Sequence, residues 1–170
     1  MATQTGATAS TTPETRTMPL AQEGLIAGLV GAATIAVWFL ILDSLSGRPL
    51  YTPTVLGTAL FRRGVMPLSE VLPDLEMVLM FTWVHGLIFV AIGGIVARLL
   101  ALAERNPSFG FGILMLFVFF ECGFVVAAML FAEPILHALA WPAVLVANML
   151  AAAAMGGYFW LRHPNLRVQP

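Results

Sequence analysis

FGFGILMLFVFFECGFVVAAMLFA, running from Phe109 to Ala132, is an apolar stretch with one carboxylic acid, Glu121, near its midpoint and one thiol, Cys122, beside it. The hydrocarbon core of a bilayer is about 30 Å thick and takes about 20 apolar helical residues to cross. This stretch supplies them between Pro107 and Pro134. An ionised acid at that depth costs about 2.5–3.5 kcal/mol on insertion scales, so a mid-span carboxyl faces protein or water and takes a partner.

The rest of the chain has the same character. Its 170 residues are 59% hydrophobic and only 10% charged, against about 25% charged in soluble domains. That composition reads as an all-α, multi-pass membrane protein of one domain. A net charge of -1 without clustered basic residues excludes nucleic acid as a partner. Cys122 is the only cysteine, so no intramolecular disulfide, CxxC motif or thiolate cluster can form, and the thiol reads as a small packing residue.

Outward from that stretch, the expected architecture is a four-helix transmembrane bundle with helices at about 21–45, 75–103, 107–133 and 139–161. A disordered tail of Ala, Thr, Ser and Gln covers 1–18 and a short C-terminal tail 164–170. The N-terminal region carries no basic, apolar, cleavable pattern of a signal peptide. In the first helix Gly24, Gly28, Ala32 and Ala36 recur every four residues, with Ala27 and Gly31 alongside. This small-xxx-small pattern lets two backbones approach closely in lipid, and it leaves open whether the partner is internal or another protein. Asp43, at the far end, is expected at headgroup level, solvated and without a role. Thr52-Pro53 and Gly64 bracket a short helix over Thr54 to Arg63, with Val55, Leu56 and Leu60 on one arc, expected to lie in the membrane interface. The second spanning helix places Thr82, His85, Gly86, Gly93 and Ala97 on one arc, its expected inward face. Trp141, Tyr158 and Trp160 read as interfacial anchors of the last helix.

Arg16, Arg98, Arg105, Arg162 and Arg167 fall on the side of both termini, and Arg48, Arg62 and Arg63 on the other. By the positive-inside rule the termini are cytoplasmic. The pattern resembles that of small bacterial inner-membrane proteins, which implies a multi-pass location in that membrane.

One polar side chain per helix falls at a similar depth. At a rise of 1.5 Å per residue, Thr34 and Glu121 lie about 18 Å from one membrane face, His85 about 15 Å and Asn148 about 13–15 Å. A His85/Glu121 hydrogen bond on adjacent antiparallel helices is expected, with Thr34, Asn148, Trp38 and Trp83 near it. The bland reading is a set of interhelical hydrogen bonds, about 0.6 kcal/mol each. The functional reading is a site for a proton, an ion or the polar head of a small quinone-like ligand. Bis-histidine haem lacks a second histidine at matching depth, since His137 and His163 lie at the ends. Glu133 and His137, with Asp74 or Glu76, have metal-ligand spacing, but Pro134 intervenes. No metal or cofactor is assigned. GxSxG, Walker, HExxH and dinucleotide-binding sequences do not occur. The leading functional expectation is therefore a non-catalytic membrane protein that associates laterally, as an accessory subunit of a larger complex or a homo-oligomer. A ligand or proton-handling bundle built on His85 and Glu121 is the alternative, and a transporter a third.

Overall fold

A computed structural model describes residues 18–62, 72–105 and 141–163. Every regular element among them is a helix: α1 (Leu20–Leu45), α2 (Tyr51–Phe61), α3 (Leu75–Arg105) and α4 (Trp141–Arg162). Three are long and apolar enough to cross a membrane: α1, Leu75–Ala103 of α3 and Pro142–Arg162 of α4. With 11 residues, α2 is too short. The expected span at 107–133, with Glu121 and Cys122, lies outside the described residues, as do Glu133, His137, residues 1–17 of the expected N-terminal tail and the 164–170 tail.

Packing of α1 on α3 follows from side-chain size. A Cβ built on Gly24 would meet the Gly94 Cα at 2.6 Å, and one on Gly28 the Val90 Cα at 2.6 Å. From the other side, a Cβ on Gly93 would reach the Gly28 nitrogen at 2.6 Å. One turn further along, the His85 ring meets the Ala32 backbone. Each step of four residues up α1 thus matches a step of four down α3, so Gly24, Gly28 and Ala32 run antiparallel to Gly93, Phe89 and His85. This is the interdigitation of i±4 ridges, brought to backbone contact by glycine. The partner of the α1 stripe is internal.

On its other flank α1 meets α4. A Cβ on Gly31 would lie 2.6 Å from the Met155 Sδ, and the Trp38 indole N–H donates to the Ala143 carbonyl at 3.0 Å. Ala27, Ala97, Met155 and Phe159 form the buried core, with Phe89, Ile92, Val96, Leu100 and Tyr158 packed around it.

Two expectations are corrected, one about the connection and one about α3. The short helix begins earlier than expected, at Tyr51, and the face it buries against the bundle is Thr52, Thr54, Val55, Gly57 and Thr58, which shares only Val55 with the apolar arc of Val55, Leu56 and Leu60. Leu60 is 51% exposed. The physical reason is closeness. Gly57 lies on the Met77 carbonyl of α3, an approach only small side chains permit. The second correction concerns the inward arc of α3. Thr82 is exposed and donates to its own Val78 carbonyl at 2.7 Å. A Cβ on Gly86 would meet nothing within 4 Å among the described residues, so Gly86 takes no part in the α1–α3 contact.

Candidate functional site

Within the spans, two buried polar atoms have no hydrogen-bond partner among the described residues, the Tyr158 hydroxyl on α4 and one ring nitrogen of His85 on α3. His85 sits in the α3 stripe between Phe81 and Phe89, one turn away on either side, with ring centroids 5.6 and 4.8 Å from its own. Its Nε2 is buried with no hydrogen-bond partner among the described residues. Thr34 donates instead to the Val30 carbonyl of its own helix at 2.8 Å, and Trp38 is taken by Ala143. Thr34, Trp38 and His85 therefore make no hydrogen bonds with one another. Asn148 is half-buried on α4 and Trp83 is exposed. Among the described residues no three His, Cys, Asp or Glu side chains gather as metal ligands.

A second polar layer lies at each end of α1. Glu23, in its first turn, is 5% exposed and its Oε1 is 2.6 Å from the Nε2 of His163, just past α4. Asp43, in its last turn, is 6% exposed. Its carboxylate accepts the Thr52 backbone N–H and the Thr52 hydroxyl, both at 2.7 Å. The expectation of a solvated Asp43 without a role is thereby overturned. The carboxylate occupies the N-terminus of α2, where backbone donors are unfilled and the helix dipole favours negative charge. It holds a tight turn in which Gly47 (φ +71°) and Leu50 (φ +65°) are left-handed. For leucine that conformation costs about 1–2 kcal/mol.

The turn into α3 is built the same way. Asp74 Oδ1 accepts the Glu76 and Met77 N–H groups at 3.0 and 3.3 Å, an N-cap. Its Oδ2 is 3.0 Å from the Arg62 guanidinium at the end of α2, and the Thr54 hydroxyl accepts the Asp74 N–H at 3.3 Å. Polar side chains thus fasten α2 at both of its ends.

No protein-family model, curated protein or solved structure matches this chain. The functional reading rests on its own residues. Among these, sequence reasoning missed Glu23 altogether, although a signal was present: an acid in the first turn of one span and a histidine just after another, both on the side of the termini. Glu23 and Asp43 are twenty positions apart, on the order of 30 Å along a helix, which is the thickness of the hydrocarbon core. Both carboxylates bracketing α1 are satisfied by protein groups rather than left to solvent.

His85 can be tested directly. It follows the every-four pattern of Phe81, Phe89 and Gly93 against α1, so His85→Phe is expected to keep the bundle folded, with a melting temperature equal to or above that of the parent in detergent. A marked loss of stability would show that the imidazole makes a polar contact the fold depends on.

Proposed function

We propose that the chain is a non-catalytic integral membrane protein that acts by lateral association within the bilayer, as an accessory or structural subunit of a larger membrane assembly or as a homo-oligomer. The observation that carries this reading is the division of the small residues between two surfaces. Gly24, Gly28 and Gly93 are consumed by the α1–α3 crossing. Ala153, Gly156 and Gly157 lie exposed along one face of α4, at i, i+3 and i+4, and among the described residues a Cβ on either glycine would meet nothing within 4 Å. Met149 and Trp160, 63% and 74% exposed, border this face one turn to each side. A shallow face of small residues between large apolar ones is the shape that a second helix fills in lipid, where close van der Waals contact drives association. The arginine distribution supports placing the chain in a bacterial cytoplasmic membrane with cytoplasmic termini.

Gly157→Leu is the test. It is expected to leave the monomer folded while reducing the co-purifying partner or oligomer at least tenfold, as read by native mass spectrometry of protein extracted in mild detergent. Undiminished association would remove α4 from the interface.

A second reading has one observation in its favour. The His85 Nε2 inside a span, without a partner among the described residues, is suited to accept a hydrogen bond from the polar head of an apolar small molecule, and a buried ionisable group in a membrane is a functional hypothesis by default. On this reading the His85→Phe variant stays folded but loses the bound molecule.

A further inference from the structure

The α2 end of the bundle exposes apolar side chains at and beyond the level where the spans end. Asp43 and Asp74 mark that level on α1 and α3. Leu45 is 80% exposed, Leu72 81% and Leu75 65%, and on α2 the exposed edge carries Leu60 and Phe61. The inward face of α2 is threonine and glycine with one valine, Val55, and its outward edge is leucine and phenylalanine, a pattern unlike that of a connector that lies in water. Cations are interleaved with them. Arg62 is taken by Asp74 and Glu76 at 3.0 and 3.8 Å. Arg48 is exposed, with its guanidinium carbon 4.2 Å from the centre of the Tyr51 ring. A guanidinium stacked on a ring keeps its in-plane N–H donors pointing sideways, an arrangement suited to phosphate oxygens. Tyrosine is itself enriched at the headgroup level.

From these placements we propose that the α2 end is seated in the headgroup layer of the bilayer. Leu60, Phe61 and Leu72 enter the acyl region of that leaflet and the Arg48–Tyr51 pair meets a phospholipid phosphate. The occupant is lipid because the collar is continuous with the exposed apolar surfaces of the spans, Leu45 with Ile41 and Leu75 with Leu79. Because α2 is pinned by Asp43 and Asp74, the seat is rigid and fixes the depth of the bundle. This inference rests on the reading of the chain as membrane-spanning, and it is independent of the α4 interface.

Spin labels on single cysteines test it. Leu60→Cys, Leu72→Cys and the mid-span Val37→Cys, each in a Cys122→Ser background, are reconstituted in phosphatidylcholine/phosphatidylglycerol vesicles. At all three sites the collision rate with oxygen is expected to exceed that with a water-soluble nickel chelate severalfold, with labels at 60 and 72 shallower than at 37. Adding Arg48→Glu should shift 60 and 72 toward the chelate. Chelate access at 60 and 72 with oxygen access at 37 overturns the lipid seat while the spans stand. Shielding of 60 and 72 from both reagents also overturns it, because a protein then covers the collar. Chelate access at 37 overturns the spanning reading itself.

Discussion

Gly28→Leu is expected to leave no folded bundle: where the parent chain elutes from size exclusion in mild detergent as one species, the variant aggregates. A Cβ at this position lies 2.6 Å from the Val90 Cα and 2.7 Å from the Phe89 carbonyl carbon. Both obstacles are backbone, so no rotamer change relieves them and α1 must move off α3. Overpacking costs about 1–3 kcal/mol where side chains can adjust, and here at least the upper end of that range applies. Parting the helices also uncovers Ala27 and Ala97, which are 0% and 1% exposed. Gly86→Leu is the control. Among the described residues its Cβ meets nothing within 4 Å, and it replaces the poorer helix former with the better, worth about 0.8 kcal/mol in favour of the helix. A Gly28→Leu chain that elutes and melts like its parent would disprove the antiparallel crossing.

Removing one partner of the Glu23–His163 pair has the second large effect. His163→Ala leaves the Glu23 carboxylate, 5% exposed, without the ring nitrogen now 2.6 Å away. Orphaning a buried hydrogen-bonding group costs about 1–3 kcal/mol, and more when it is charged. The 20% exposure of the His163 side chain places the expected loss toward the lower figure, since partial solvent contact screens the charge. Melting followed by tryptophan fluorescence should show a drop of several degrees. Combining it with Glu23→Leu should restore most of the loss, because neither buried charge nor orphaned acceptor then remains. Identical melting of the single variant and the parent would mean the pair contributes nothing.

The helices were legible in the sequence to within a few residues where apolar runs met polar or proline punctuation. Leu20–Leu45 and Leu75–Arg105 lie beside expected spans of 21–45 and 75–103. The small-residue stripe of α1 was equally plain, because glycine every four residues has few other uses in a lipid-facing helix. Which surface it met was legible in part: His85, Gly93 and Ala97 fell on the expected inward arc of α3, whereas Phe89, which lies against Gly28, did not, since three of the four members of the matching stripe Phe81, His85, Phe89, Gly93 are large. Seen from α3 alone, those aromatics look like any lipid-facing side chains. The face that α2 presents to the bundle carried no signal either, because where backbones must touch the contact is made by small side chains such as Gly57, and apolar periodicity marks only the greasy ones. Asp43 was misjudged because its partner, Thr52, sits across a turn that needs two left-handed residues, one of them the unsignalled Leu50. Glu23 has its partner 140 positions away, beyond the reach of any local pattern.

The two carboxylates that bracket α1 differ in when they can be satisfied. Asp43 finds Thr52 nine residues later, as soon as the turn after α1 has been synthesised, so the α2 end can fasten while most of the chain is still on the ribosome. Glu23 must wait until α4 has been made, and closing so long a loop is slow. Until then the first turn of α1 carries an unpaired acid at the membrane boundary. The bundle is therefore expected to assemble directionally, fastened first at α2 and sealed last where its two ends meet.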